Sequence, residues 1–427
     1  MRKIRLTDFP YLMLGVLIIF FLCTHTANVE YDSPSYIQFW PTRPFLYPFF
    51  VWVFHWAGPY QFSGVIWAQG ILLFCTMLYV RCWLKKNLQV ADFLIFLVCL
   101  LVLLTISFHY QLWFIQSEGL SFPLFILSFF SLIECFQRFS LKKLLYLSLL
   151  VSMLIFTRLQ FYYFYAIFFV LCIWYLWQKI PIKQVLLASL ILFGSMFFTI
   201  LADYCYHYVK HGTFDGAAYG GLLILSQTIF LADNQAANYF QSSEEKTLVQ
   251  KMLDKRNANK LNQDADLVMT FKPAYLQYAY QSYVRNFPEM QKIIDDTLRL
   301  DVINSSEIAT YSIANAMATK INKTLILHST SKNLIFLFWK FLQCVGGIPL
   351  FLFFLILLFG TCFKIACDKI REPDLSLIFV AVIAMITFFN AAIIAVCNPD
   401  LPPYFCYSQF MFYCLCAFLM SRIHYVS

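Results

Sequence analysis

The chain has 427 residues, of which 61% are hydrophobic and only 13% charged. Globular proteins carry about 25% charged residues, so this chain has too few charges to cover a water-exposed surface. This composition excludes a soluble secreted enzyme, an intrinsically disordered chain and a nucleic-acid-binding protein. The formal net charge of +8 does not change this conclusion. It predicts an integral membrane protein that crosses the bilayer many times.

Apolar runs of membrane-spanning length recur along the chain and set its predicted architecture. They predict an all-α polytopic membrane protein with about ten transmembrane helices, at residues 9–27, 63–81, 92–112, 120–137, 144–158, 161–178, 185–203, 346–364, 375–397 and 405–421. Most of the 14 cysteines lie inside apolar runs and behave as small hydrophobic residues. We therefore expect neither a disulfide framework nor a zinc site.

Clusters of lysine and arginine between the spans indicate how the chain is oriented. If the spans alternate in direction, the basic clusters all fall on one side, at residues 2–5, 81–86, 138–143, 179–183, 364–371 and 422. The positive-inside rule assigns that side, with both termini, to the cytoplasm. The loop at 28–62 and the long stretch up to residue 330 then lie on the extracytoplasmic face.

Three regions follow from this alternation. Residues 1–203 form a transmembrane module with the outward loop 28–62, and residues 204–330 form an extracytoplasmic, mostly helical domain. Residues 331–427 contain an interfacial helix and three further transmembrane helices. The interfacial helix is predicted at 333–343, where Lys340 lies among apolar and aromatic residues and is expected to snorkel to the membrane surface.

The first outward loop carries two carboxylates, Glu30 and Asp32, directly after the first span. A carboxylate in this position is suited to act as a general base for a hydroxyl, and a pair can hold a divalent cation. Arg43, later in the loop, has the planar donor geometry that binds phosphate. The alternative interpretation is that both carboxylates are solvated loop charges and that Arg43 is an interfacial anchor.

Three sequence motifs at predicted outward ends of spans combine charged residues with Ser, Thr, Tyr or Pro. They read Glu30-Tyr31-Asp32-Ser33-Pro34-Ser35-Tyr36 with Arg43-Pro44-Phe45-Leu46-Tyr47-Pro48, then Gln116-Ser117-Glu118-Gly119-Leu120, and Phe156-Thr157-Arg158-Leu159-Gln160. Together they resemble the GT-C superfamily of multi-span glycosyltransferases, which use polyprenyl-phosphate-linked sugars. The resemblance covers residues 1–203 well and extends more weakly to His211-Gly212-Thr213-Phe214 and Gly220-Gly221. Leu159 stands where the family usually has proline, and the loop 398–404 lacks the Arg-Tyr pair common in related enzymes.

The resemblance implies transfer of a sugar from a polyprenyl-phosphate donor to an extracytoplasmic acceptor (a glycan, lipid or protein), with inversion, in the inner (plasma) membrane of a bacterium. Asp32 would be the catalytic base and Glu118 would orient or assist. The implied substrate-binding residues are Glu30, Tyr36, Arg43 and Arg158, with Tyr404 or Tyr407 as a further donor contact. Mg²⁺ or Mn²⁺ at Glu30 and Asp32 is an option that this mechanism does not require.

Other interpretations stay open from the sequence. Glu118 also fits a helix N-terminal carboxylate favoured by the helix dipole, and Arg158 also fits an interfacial anchor. An envelope polysaccharide polymerase or ligase shares the large outer loop but is expected to concentrate arginines there. A secondary transporter is expected to carry paired charges near the bilayer midplane, whereas the charges here cluster at outward ends of spans.

Reporter fusions test the predicted topology. A fusion after Lys86 should report the cytoplasm and a fusion after Lys260 the opposite side, because the basic cluster 81–86 and the stretch 204–330 are assigned to different faces. If both fusions report the same side, the assignment of the site to the extracytoplasmic face is wrong.

Overall fold

A computed structural model describes residues 6–30, 32–217, 219–300, 307–367, 374–398 and 402–426. Within these ranges every regular element is helical, apart from one isolated bridge between Asn28 and Phe114. The basic cluster 2–5, part of the cluster 364–371 and residues 399–401 of the loop predicted to be the last outward one lie outside the described residues.

The α-helices are numbered here in chain order, and short 3-10 or π segments connect several of them. They are α1 (Phe9–Thr24), α2 (Ser33–Ile37), α3 (Leu46–Val53), α4 (Gln61–Leu88), α5 (Asp92–Val102), α6 (Phe108–Tyr110), α7 (Glu118–Gln137), α8 (Leu141–Ile155), α9 (Tyr163–Trp177), α10 (Ile182–His211), α11 (Gly220–Leu231), α12 (Ser243–Ala258), α13 (Pro273–Leu300), α14 (Glu307–His328), α15 (Thr330–Val345), α16 (Ile348–Cys367), α17 (Leu375–Cys397) and α18 (Cys406–Val426).

Seven helices of the described chain are long and apolar enough to cross a membrane. They are His55–Leu88, Asp92–Tyr110, Glu118–Gln137, Leu159–Trp177, Ile182–His211, Ile348–Cys367 and Leu375–Cys397. The predicted span 9–27 falls on the 16-residue α1, 144–158 on the 15-residue α8, and 405–421 on α18. The all-helical architecture expected from the sequence is confirmed, and the length and composition of these helices suit a multi-pass membrane protein. The count of ten spans stays a prediction.

The apolar side chains form two separate cores. The first joins residues of α1, α4, α5, α7 to α10 and α16 to α18, and contains the aromatic interior of the transmembrane bundle. The second joins α11 to α15, between Leu222 and Leu342. The helix α10 continues without a break through residue 203 and ends at Gly212, whose φ of +74° is the left-handed conformation that glycine adopts at helix C-termini.

The expectation for Lys340 is wrong. Lys340 is fully buried and donates a hydrogen bond from Nζ to Oε1 of Gln227 on α11, at 2.8 Å. Its helix α15 packs Phe336, Trp339 and Leu342 into the second core. The amphipathic pattern of 333–343 therefore reflects packing against α11, α13 and α17, because a partner helix and a membrane surface select the same spacing of apolar residues.

One close approach positions the start of α7 against α4. Gln69 is buried and donates from Nε2 to the carbonyl oxygens of Gln111 and Phe114, at 2.8 and 3.1 Å. Its Oε1 accepts from the Tyr47 hydroxyl at 2.8 Å. A Cβ atom on Gly119 would lie 2.2 Å from the Gln69 side chain, so only glycine lets α7 come this close.

Substitution of this glycine tests the contact. Gly119→Ala should lower the free energy of unfolding by about 1–3 kcal/mol, since the new methyl group displaces Gln69 from its buried partners. The matched control is Gly194→Ala in α10, where a Cβ meets nothing within 4 Å and alanine should be neutral or stabilising by up to about 1 kcal/mol. Thermal unfolding in detergent measures both, and equal effects would contradict the close approach.

Candidate active site

Backbone hydrogen bonds bring together the three sequence motifs, which lie at residues 30–48, 116–120 and 156–160. The amide of Asn28 donates to the carbonyl of Trp113 at 2.6 Å, and the amide of Ile115 donates to the carbonyl of Asn28 at 3.1 Å. The amide of Leu46 donates to the carbonyl of Phe156 at 3.0 Å. The first loop is thereby attached both to the segment that precedes α7 and to the corner between α8 and α9.

Arg43 is the centre of the first group of contacts. Its Nη2 lies 2.6 Å from Oδ1 of Asp32, Nε donates to Oγ of Ser35 at 2.8 Å, and Nη1 donates to the Tyr36 hydroxyl at 3.2 Å. The Arg43 guanidinium also lies over the Tyr36 ring, 4.6 Å from its centroid. The side chain of Asp32 is 50% exposed and that of Arg43 26%, so the carboxylate faces solvent while the guanidinium is held in place.

A line of hydroxyl groups leads from Arg43 into the bundle. The Tyr36 hydroxyl lies 3.1 Å from Oγ of Ser117, which donates to Oε2 of Glu118 at 3.4 Å. Because Ser117 gives its proton to Glu118, Tyr36 must donate to Ser117 while it accepts from Arg43. Burial raises the pKa of Tyr36, which keeps the phenol protonated in this role.

Glu118 and Arg158 form the second group. Glu118 is the first residue of α7 and Arg158 lies at the corner between α8 and α9, and the two side chains pair directly through Oε1 and Nη1. They are only 5% and 12% exposed. The Arg158 guanidinium lies over the Tyr404 ring, 4.5 Å from its centroid. A buried pair of this kind indicates that Arg158 is enclosed by protein rather than placed at the membrane surface as an anchor.

Glu30 has different partners from Asp32. Its carboxylate accepts from Nδ2 of Asn28 at 3.3 Å and from Nε2 of Gln116 at 3.1 Å, whereas Asp32 accepts from Arg43. Across the described residues, no group of three or more His, Cys, Asp and Glu side chains is arranged to hold a metal ion. The option of Mg²⁺ or Mn²⁺ at Glu30 and Asp32 stays a prediction.

A cavity of about 300 Å³ lies between these groups, and it is called the arginine cavity here. Its walls include Tyr36, Arg43, Arg158 and Tyr404, with further residues from the start of α11 and the end of α17. Both arginines line the cavity, and none of its described lining residues has a carboxylate side chain. Two cations that share one enclosed space with aromatic walls form a binding site suited to a phosphate group.

The structure also distinguishes the two C-terminal tyrosines. Tyr404 lines the arginine cavity, whereas Tyr407 is fully buried, is not among the cavity's described lining residues, and has its hydroxyl 2.7 Å from Oγ of Ser121. Tyr219, at the start of the second core, lines the cavity as well, although it belongs to none of the sequence motifs. No local pattern marks Tyr219, because its position results from the folding of α11 against the bundle.

A polar cluster lies at the C-terminal end of α10, and of its members the sequence motifs include His211 but neither Asp203 nor His207. Asp203 and His207 are buried with Oδ1 and Nε2 3.7 Å apart, and the ring of His211 lies 5.3 Å from that of His207. The neighbouring Tyr206 packs on Phe45 of the first loop, with ring centroids 5.6 Å apart. The spacing of four residues between the members, on one helix face, is the signal that would have identified this cluster.

In comparisons with family models, curated proteins and solved structures, nothing matches this chain. The resemblance to glycosyltransferases therefore depends on the motif residues alone.

The buried pair predicts a specific pattern of stability. Glu118→Gln leaves the Arg158 guanidinium buried without its counter-charge and should lower the free energy of unfolding by about 3–5 kcal/mol. The double variant Glu118→Gln/Arg158→Gln removes both charges and should be less destabilised than Glu118→Gln alone. As a control, Glu134→Gln breaks the more exposed pair with Lys143 and should cost about 1 kcal/mol or less. Thermal unfolding of the four proteins in detergent provides the measurement, and a Glu118 variant as stable as the Glu134 variant contradicts the assignment.

Proposed function

We propose that this protein is a membrane glycosyltransferase of the GT-C type, which transfers a sugar from a polyprenyl-phosphate-linked donor to an extracytoplasmic acceptor. The observation that supports this proposal most is the arginine cavity, where Arg43 and Arg158 face one space that has no described carboxylate in its lining. Arg43 pairs with Asp32 and Arg158 pairs with Glu118, and neither carboxylate is among the described lining residues of the cavity.

The charges of the reaction suit two guanidinium groups. A polyprenyl-phosphate-linked sugar is a phosphodiester with one negative charge, and the departing polyprenyl phosphate gains a second. Two fixed cations therefore stabilise the transition state more than the bound donor, which is the condition for catalysis. The contacts of Arg43 with Ser35 and Tyr36 preorganise its guanidinium, so little reorganisation is needed when the donor binds.

The exposed Asp32 supplies the base. Donor phosphate on Arg43 competes with Asp32 for the guanidinium, and this competition frees the carboxylate when the donor is present. Asp32 then accepts the proton of the acceptor hydroxyl while that oxygen forms a bond to the anomeric carbon. The bond from the anomeric carbon to the phosphate oxygen breaks on the opposite side, its electron pair leaves with the polyprenyl phosphate, and the configuration is inverted.

The position of the cavity suits a donor with a membrane-embedded tail. Ile393, Ile394 and Cys397, at the end of α17, line the cavity, and α17 is one of the helices long and apolar enough to cross a membrane. A phosphate bound by Arg158 therefore lies at the end of the transmembrane bundle, where the head of a lipid-linked sugar is expected. The extracytoplasmic orientation and about ten spans belong to the same proposal.

The contacts of the outer helices weaken the rival interpretation of a polymerase or ligase. Arg256 on α12 is fully buried and donates to the carbonyl oxygens of Ile229 and Ala232, at 2.7 and 2.6 Å. It stabilises the turn after α11 and is closed to a substrate. The second core then serves to present the acceptor, and no described arginine of that core lines the arginine cavity.

Asp32→Asn tests the proposal, because it preserves size and removes the basic site. Turnover should fall by about 10²–10⁴-fold while protein level and donor binding persist, since the freed Arg43 still holds phosphate. Mass spectrometry of envelope glycans first identifies the sugar lost when the gene is deleted, and restoration of that sugar by each variant gives its activity. Asp266→Asn, on the exposed outer surface, is the matched control and should restore the sugar fully.

Glu30→Gln separates two versions of the mechanism. A mild loss is expected where Asp32 works alone, whereas a loss as large as that of Asp32→Asn, with dependence on added Mg²⁺ or Mn²⁺ in the unmodified protein, indicates a cation held by both carboxylates. A folded, membrane-inserted Asp32→Asn protein with full activity would contradict the proposed mechanism.

A further inference from the structure

We propose that the protein has a second lipid site, for an anionic glycerophospholipid, at the end of the bundle opposite the arginine cavity. The phosphate of the lipid binds in a polar cleft, here the basic cleft, whose charged walls are Lys86, Arg138, Lys143 and Asp374. The acyl chains lie in an adjoining apolar groove between α9, α16 and α17. This proposal does not rest on the proposed glycosyltransferase function.

The basic cleft is built from helix ends. Its volume is about 990 Å³, and its walls come from the last residues of α4, the segment after α7, the start of α8, the segment after α9 and the start of α17. Three of its four charged described residues are cations. Among the described residues no carboxylate forms an ion pair with Lys86 or Arg138. Lys143 forms an ion pair with Glu134, with Nζ 2.7 Å from Oε2.

The single described carboxylate of the cleft has a structural partner. Oδ1 of Asp374 accepts from the amide of Ser376 at 3.3 Å and caps the start of α17. Its charge is therefore directed at the helix N-terminus, where it is favoured by the helix dipole. The cleft keeps a positive potential towards a ligand, in the part of the chain that the structure describes.

The apolar groove has a volume of about 570 Å³ and begins where the cleft ends. Two helices contribute consecutive residues to the two spaces, Phe136 and then Gln137 on α7, and Trp177 and then Gln178 at the end of α9. On α17, Leu375 lines the cleft and Ile378, one turn later, lines the groove. A ligand that fills both spaces has a charged head and an apolar body.

The location determines which lipid fits. The cleft lies at the C-terminal end of α7 and the N-terminal end of α17. The arginine cavity lies at the other end of α17, and its Arg158 pairs with Glu118 at the other end of α7. The basic loops on the cleft side are those that the positive-inside rule assigns to the cytoplasm. Anionic phospholipids are the negatively charged lipids of that leaflet, and each nearby Lys or Arg adds about 1 kcal/mol to their binding.

The test measures lipid preference with the full chain in detergent. Palmitoyl-oleoyl phosphatidylglycerol and the corresponding phosphatidylcholine are each titrated, and native mass spectrometry and thermal unfolding report binding. The unmodified protein should prefer phosphatidylglycerol, and Lys86→Gln/Arg138→Gln should reduce that preference roughly 30-fold. Both residues are exposed at helix ends, so the variant is expected to fold.

The matched control is Lys142→Gln/Lys183→Gln, which removes two exposed basic residues outside the cleft. It should change the preference by less than about threefold. If it lowers the preference as much as Lys86→Gln/Arg138→Gln does, the attraction is a general property of the basic face and the proposal is wrong.

Two further experiments test whether the apolar groove binds acyl chains and whether the bound phosphate belongs to a lipid or to a soluble molecule. Ala381→Phe fills the apolar groove without any change of charge and should weaken phosphatidylglycerol binding at least several-fold. Free glycerol 3-phosphate, which has the head but no acyl chains, should not stabilise the protein. Equal stabilisation by glycerol 3-phosphate and by the lipid would show a soluble-anion site and overturn the proposal.

Discussion

The buried pair of Glu118 and Arg158 is the interaction on which the rest of the site depends. Removing either charge from water is costly, so neither side chain is stable in its position without the other. Glu118 begins α7 and Arg158 forms the corner between α8 and α9, so the pair fixes the geometry of three helices at once. Ser117 and Tyr36 extend the same network to Arg43, which positions the first loop.

In this network the positively charged side chains line the cavity and the negatively charged side chains do not. Arg43 and Arg158 line the arginine cavity, whereas the carboxylates that pair with them, Asp32 and Glu118, are not among its described lining residues. The difference between the carboxylates is exposure, since Asp32 is half exposed and Glu118 is enclosed. An enclosed carboxylate keeps its arginine in place. In the proposed mechanism, an exposed carboxylate gives up its arginine to a substrate phosphate and can then take up a proton.

The helix α17 connects the two ends of the molecule. Its start at Leu375 lines the basic cleft and its end at Cys397 lines the arginine cavity. A single rigid helix therefore borders both proposed lipid sites, one for the donor and one for a phospholipid of the other leaflet. A phospholipid bound in the cleft and the adjoining groove would stabilise the packing of α9, α16 and α17. It would do so at the end of the bundle opposite the arginine cavity and would not contact the reacting groups.

Composition and periodicity alone establish an all-helical chain with several helices able to cross a membrane, because the bilayer requires long apolar runs whose backbone is satisfied internally. The same pattern misplaced Lys340, because amphipathic spacing does not distinguish a partner helix from a membrane surface. Motif residues identified Asp32, Arg43, Glu118 and Arg158, but which carboxylate pairs with which arginine depends on contacts between residues as far apart as 118 and 158. Tyr219 and the basic cleft have no local signature, since each exists only where separate helix ends meet.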